Sequence, residues 1–128
     1  MDLDKIQSLL DSIAVKDNGV SGVYVIDAMR GELIARNDGA GSDGNVNWEE
    51  IDNVLSSFID IWERLSHSDS YNLGESKTMS FDFENGGIIV TDTGEAAMIF
   101  FVNLNPKKMG PANRTATIET KNIAKLLK

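Results

Sequence analysis

The chain has 128 residues, 41% of them hydrophobic and 25% charged, which suits one globular domain with a single core. Its 20 acidic and 12 basic side chains give a net charge of −8, which disfavours nucleic acid as a partner because phosphate is repelled. Because it contains no cysteine, the chain excludes disulfides, thiolate metal ligands and thiol nucleophiles.

The first part of the chain predicts one helix and two strands. Apolar residues recur at helical spacing near the N-terminus, at Leu3, Ile6, Leu9, Leu10 and Ile13. Asp2 or Asp4 caps this helix, and the left-handed geometry that Gly19 accepts ends it. The unbroken apolar run at residues 22–27 predicts a strand covered on both faces, and residues 32–36 return as a second strand.

Residues 48–65 predict a long helix that is unusually apolar on one side. Asn47 is the expected N-cap, Glu50 its capping-box partner, and Val46 and Ile51 a hydrophobic staple. The apolar arc covers roughly 160°, against the roughly 100° of an ordinary core-facing helix. Its members are Trp48, Ile51, Val54, Leu55, Phe58, Ile59, Ile61, Trp62 and Leu65. We therefore expect one flank to cover a sheet and the other to meet a second protein.

The second half of the chain predicts three strands and a closing helix. Residues 77–84 alternate strictly between polar and apolar, which is typical of a half-exposed edge strand. The Asn85-Gly86 turn leads to a strand at residues 87–91, and residues 96–104 form the last strand. Both of these are apolar on successive residues and belong in the interior of a sheet. Two prolines then break the chain before a helix at residues 117–128.

This order of elements, α-β-β-α-β-β-β-α, predicts an α+β fold. Its hairpin connections favour a five-stranded, mainly antiparallel sheet, with helices on both faces. We expect a single domain over residues 1–128, with its core in 1–115 and a C-terminal helix in 116–128.

Several glycine-bearing segments give the chain a resemblance to a known family. They are Gly19-Val20-Ser21-Gly22 before the first strand, Gly31 at the first hairpin, the run 80–87 (SFDFENGG) and Gly94 before the last strand. Together with the long helix, this pattern resembles the roadblock family, the fold of dynein light chains and small-GTPase regulators. The resemblance covers residues 3–115, although the loop 37–45 is longer and richer in glycine than is typical of the family.

The resemblance implies a non-catalytic dimer in which the long helices pair and the edge strands join two sheets into one. The partner is a second copy or a roadblock-like paralogue, and many family members are platforms for small Ras-like GTPases. In this chain the paired helix is 48–65 and the edge strand is 77–84. The residues expected at the dimer or partner interface are Val54, Phe58, Ile61, Trp62, Leu65, Met79, Phe81 and Phe83.

An alternative function is a calcium- or ligand-sensing domain built on the loop from Asp38 to Glu50. Residues 43–50 mimic the second half of an EF-hand loop, with Gly44 at the sharp turn and Glu50 as bidentate ligand. The first ligand positions would fall on glycines, which carry no side-chain oxygen. The capping box and the staple also explain much of the same segment without a metal.

These observations favour an adaptor that scaffolds or regulates a small Ras-like GTPase or a motor or motility complex. An enzyme is not expected, because the chain has one histidine, His67, and no phosphate-loop motif or other recognisable catalytic motif. We expect no metal or other cofactor. No apolar run reaches the roughly 20 residues of a membrane span, and the N-terminus does not resemble a signal peptide. We therefore expect a cytoplasmic protein without membrane insertion.

Overall fold

The structure, a computed structural model, describes residues 1–39, 46–66 and 77–128, and all their side chains except those of Leu65 and Ser66. The elements occur in the predicted order. They are α1 (Leu3–Val15), β1 (Gly22–Asp27), β2 (Glu32–Asn37), α2 (Trp48–Ser66), β3 (Thr78–Phe83), β4 (Gly86–Asp92), β5 (Ala97–Asn103), a 3-10 turn (Pro106–Lys108) and α3 (Met109–Leu127).

The five strands form one sheet in the order β2-β1-β5-β4-β3, and every neighbouring pair is antiparallel. The three apolar strands β1, β5 and β4 occupy the interior, where both faces of a strand are covered. The alternating strand β3 lies at one edge, as predicted, and β2 lies at the other. The predicted five-stranded antiparallel sheet is confirmed.

Helices cover both faces of this sheet, so the fold has three layers. Val23 and Val25 of β1 point into a core shared with α1 and α3. The intervening residues, Tyr24 and Ile26, point into a second core that is shared with α2. Because successive side chains of a strand alternate between faces, the unbroken apolar run of β1 supplies both cores at once.

The N-terminal ends of α1 and α2 follow their predicted caps, whereas α1 ends at Val15 with Lys16 extended, four residues before the left-handed Gly19 that was expected to end it. The Asp2 carboxylate accepts a hydrogen bond from the Lys5 amide at 3.1 Å, which places the N-cap of α1 at Asp2. The Asn47 side chain accepts a hydrogen bond from the Glu49 amide at 2.9 Å at the start of α2. Val46, just before this cap, is buried in the core under α2. The helix therefore begins where the sequence predicted and is one residue longer than expected.

The bounds of the closing helix were predicted wrongly. We expected it at residues 117–128, after a break at Pro111, whereas α3 begins at Met109 and ends at Leu127. Pro111 is the third residue of α3, within the first turn, where a backbone amide has no partner inside the helix. A proline is tolerated there. The earlier start buries Ala112 and Ala116 in the core with α1.

Candidate protein interface

The apolar arc of α2 is divided between two surfaces. Four of its members are buried in the core under the helix, namely Ile51, Leu55, Phe58 and Trp62. Val54 and Ile61 lie on one flank of the arc, and each is 41% exposed. They are seven residues apart, about 10 Å along the helix axis. One flank of α2 therefore offers apolar surface that the described part of the chain does not cover.

Two of the predicted interface residues, Phe58 and Trp62, lie in the core of the chain itself. The Phe58 ring packs edge-on against Phe100 of β5, with the ring centroids 5.5 Å apart. Little of either side chain remains exposed for a partner, so the described surface of the flank consists of Val54 and Ile61. The side chain of Leu65, also predicted here, lies outside the described part of the structure.

Strand β3 continues this apolar flank across the edge of the sheet. Met79 and Phe81 are half-buried and pack against the core under α2, whereas Phe83 is 57% exposed. These three side chains share a face because they alternate with polar residues along the strand. We call Val54, Ile61, Met79, Phe81 and Phe83 together the α2–β3 surface.

The outer edge of β3 carries backbone groups that point away from the sheet. The Asp92 amide donates a hydrogen bond to the Lys77 carbonyl at 3.3 Å. Hydrogen-bonded pairs alternate along an antiparallel ladder, so the backbones of Thr78, Ser80 and Asp82 point away from β4. Within the described residues no strand pairs with this edge. Such an edge is a template for adding a strand from another chain.

The opposite edge of the sheet is partly occupied by α1. The Gln7 side-chain amide donates a hydrogen bond to the Arg36 carbonyl of β2 at 2.9 Å. Asn37, at the end of β2, donates from its side chain to the Asp11 carboxylate at 2.8 Å. These bonds tie α1 to the β2 edge. Of the two edges, β3 is therefore the better site for pairing with another chain.

Nothing in the sequence indicated that α1 would bond to the β2 edge. Gln7 and Arg36 are 29 positions apart, and a glutamine on a helix surface carries no signal that it will reach a particular carbonyl. The exposed alternation of β3, in contrast, was visible in the sequence because only one of its faces packs on the core.

A polar cluster fixes the start of α2 against the sheet. The Tyr24 hydroxyl donates a hydrogen bond to the Asp38 carboxylate at 2.9 Å, and Asp38 also pairs with Arg36 at 3.6 Å. The Tyr24 ring stacks on Trp48, with the centroids 4.9 Å apart. The pKa of Tyr24 is raised above the ordinary tyrosine value, mainly by burial and to a smaller extent by the hydrogen bond to Asp38. The phenol therefore stays protonated at neutral pH and serves as a structural donor.

Residues 40–45 of the loop in the alternative calcium hypothesis lie outside the described residues, and so does His67. Of its two ends, Asp38 is already engaged by Tyr24, and Glu50 is exposed. Across residues 1–39, 46–66 and 77–128, no three acidic or histidine side chains converge as a metal site requires. In the same ranges, no helix combines the length and the hydropathy that crossing a membrane demands.

Known structures resemble this chain closely in fold. No protein-family model and no curated protein sequence matches it. MglB from Myxococcus xanthus has a TM-score of 0.76 at 16% identity, over 98% of this chain and 89% of its own. The gliding protein MglB from Thermus thermophilus has a TM-score of 0.80 at 13% identity, over 98% of this chain and 90% of its own.

A third structure carries the family name itself. The Roadblock/LC7 domain from Streptomyces avermitilis has a TM-score of 0.69 at 10% identity and covers 94% of this chain and 96% of its own. These matches extend over nearly the whole length of the chain and of each neighbour. The chain therefore has the roadblock fold, as its glycine pattern predicted.

Proposed function

We propose that the chain is a non-catalytic adaptor that dimerises through its α2–β3 surface and regulates or scaffolds a small Ras-like GTPase or a motility complex. The observation that carries this proposal is the open β3 edge beside the exposed flank of α2. An edge supplies directional backbone hydrogen bonds, and an apolar flank supplies buried area. Val54 and Ile61 provide that area on α2, and Phe83 provides it on β3.

The backbone pattern favours one register for the dimer. If two β3 strands pair antiparallel about a two-fold axis at Ser80, their outward backbone groups meet and Thr78 lies opposite Asp82 of the second copy. Met79 then lies opposite Phe81 of the second copy, which gives a favourable sulfur–aromatic contact on the α2 side of the sheet. The two sheets would become one continuous sheet with both copies of α2 on the same face.

The regulatory part of the proposal has two supports. The roadblock pattern in the sequence implies a platform for small Ras-like GTPases, and one structural neighbour is a gliding protein. The described residues offer an open strand edge and an exposed apolar flank, and both are surfaces suited to binding. A role through assembly makes use of these surfaces.

Affinity capture from the source organism tests this function. The wild-type chain and Ile61→Lys serve as bait, and the recovered proteins are identified by mass spectrometry. Because Ile61 is exposed, its lysine variant should keep the fold and lose the dimer. We expect a small GTPase, or a motility component, with the wild-type bait and less of it with the variant. A wild-type bait that recovers neither class of protein would contradict the proposal.

A further inference from the structure

Helix α3 presents a row of cations to solvent on a protein of strongly negative net charge. Arg114, Lys121 and Lys125 lie on the face opposite the buried side of α3, and Lys128 continues the row at the C-terminus. Ile118, in the middle of this face, is 59% exposed. We call these five residues the α3 basic row. Within the described residues none of its four cations has an ion-pair partner.

Helix α2 presents a row of carboxylates of the same length. Glu49, Asp52, Asp60 and Glu63 are all exposed and lie on the side of α2 away from Val54 and Ile61; we call them the α2 acidic row. Like the basic row, it spans 14 residue steps, about 21 Å of helix. Asp60 also pairs with Arg64 at 3.3 Å in an exposed ion pair, which holds it only weakly.

A groove of about 460 Å³ runs beside the acidic row. Asp52, Asp60 and Glu63 form one wall, and the half-buried Ile59 provides apolar surface at its base, beside the buried Leu55. The opposite wall is the turn between β1 and β2, which contributes Arg30, a single cation against three carboxylates, and the exposed Met29. The groove thus combines an excess of negative charge with an apolar base. It suits a helix that carries cations around a single apolar side chain.

The two rows cannot meet within one chain, because α2 and α3 lie on opposite faces of the sheet. We propose that the α3 basic row of one copy docks into the α2 groove of another copy, with Ile118 placed between Ile59 and Met29. This contact joins two different surfaces, so each copy retains one free row and assembly can continue beyond two copies. It also leaves the α2–β3 surface free for the proposed dimer.

The charges set the conditions for this contact. Two copies that each carry −8 repel at long range, and this repulsion is screened over about 8 Å at physiological ionic strength. Opposed rows at contact distance are screened much less. Association beyond the dimer is therefore expected at physiological salt and should weaken at high salt, where the contacts between the rows are also screened.

Charge reversal of each row tests the proposal, with sedimentation velocity at physiological salt as the readout. One variant carries Lys121→Glu and Lys125→Glu, and the other carries Asp52→Lys and Glu63→Lys. Each variant alone juxtaposes like charges and should associate beyond the dimer at least about tenfold more weakly than the wild type. Mixing the two variants restores opposite charges across the contact, so the larger species should return.

A matched variant, Lys16→Glu with Lys107→Glu, changes the net charge by the same amount on exposed residues outside the row. It should associate like the wild type. The proposal is overturned if this variant loses as much association beyond the dimer as Lys121→Glu with Lys125→Glu does. It is also overturned if the mixture of the two row variants does not regain the larger species, or if the wild type forms nothing larger than a dimer. The Ile61→Lys variant separates this result from the proposed dimer, because its copies should still associate through the two rows at physiological salt.

Discussion

The rings of Phe58 on α2 and Phe81 on β3 pack with their centroids 4.8 Å apart and their planes tilted by 60°. This contact joins the long helix to the open edge strand, although the chain between them lies partly outside the described residues. The exposed flank of α2 and the free edge of β3 are therefore held as one surface. A change in the packing of either ring would therefore shift both α2 and β3.

The first prediction concerns the division of aromatic rings between core and surface. Phe58→Ala should lower the free energy of unfolding by about 3–5 kcal/mol, because it removes a ring that is buried in the core. Phe83→Ala, on the exposed end of β3, should change it by less than about 0.5 kcal/mol in the monomeric Ile61→Lys background. Denaturant unfolding measures both changes in free energy. The Ile61→Lys background and high salt are used so that association between copies does not contribute. Equal losses in the two variants would contradict the division between core and surface.

The second prediction concerns the two sides of β3. Ser80→Pro removes an amide that points away from β4, so it should weaken the dimer while the sheet keeps its ladder. Met79→Pro removes an amide that points toward β4 and should destabilise the fold itself. Circular dichroism reports the fold, and sedimentation equilibrium reports the dimer. If Ser80→Pro left the dimer unchanged, pairing along the β3 edge would be excluded.

The third prediction concerns Tyr24 at alkaline pH. Its pKa is raised in the folded chain, so folding favours the neutral phenol over the phenolate. Stability should be unaffected by this group below the ordinary tyrosine pKa of about 10 and should fall as the pH rises above it. Tyr24→Phe should abolish that fall. Tyr24→Phe should also lower the free energy of unfolding by about 1–3 kcal/mol at neutral pH, because Asp38 loses a hydrogen-bond donor.

Thermal unfolding across the alkaline range measures the effect of Tyr24, with Tyr24→Phe as the reference. Difference absorbance of the phenolate between the two proteins gives the titration of Tyr24 alone. A titration at the ordinary tyrosine pKa would show that neither burial nor Asp38 perturbs the hydroxyl.

The fourth prediction concerns the turn between β4 and β5. Ala96 has φ +60°, in the left-handed region that costs a residue with a Cβ about 1–2 kcal/mol. Ala96→Gly removes this strain but increases the conformational entropy of the unfolded chain. We therefore expect the free energy of unfolding to rise by about 0.5 kcal/mol. Gly94, at φ +80° in the same turn, is the matched control, and Gly94→Ala should destabilise. Thermal unfolding of both variants should show opposite signs; the same sign would contradict the backbone argument.

Periodicity in the sequence was sufficient to predict the strands and the long helix. The alternation at residues 77–84 placed β3 at an edge, and the successive apolar residues of β1, β4 and β5 placed them inside. Both signals follow from whether one or both faces of a strand are covered. The Asn47 cap set the start of α2 because its side chain satisfies an amide that the helix leaves free.

Features that depend on contacts between residues distant in the sequence could not be predicted from periodicity. The wide arc of α2 indicated two surfaces, but only the position of the sheet decides that Phe58 and Trp62 are buried and that Ile61 is exposed. The start of α3 was missed because Pro111 breaks a helix in its interior and is tolerated in its first turn.

Molar mass in solution shows whether the α2–β3 surface joins two copies of the chain. At high salt, which screens the contacts between the charged rows, light scattering should give twice the 14.0 kDa of one chain for the wild type. It should give a single chain for Ile61→Lys, with an unchanged circular dichroism spectrum. Val15→Lys, a matched change at an exposed apolar residue of α1, should remain a dimer. A wild-type chain that stays monomeric, or an Ile61→Lys variant that unfolds, would contradict a dimer formed through the α2–β3 surface.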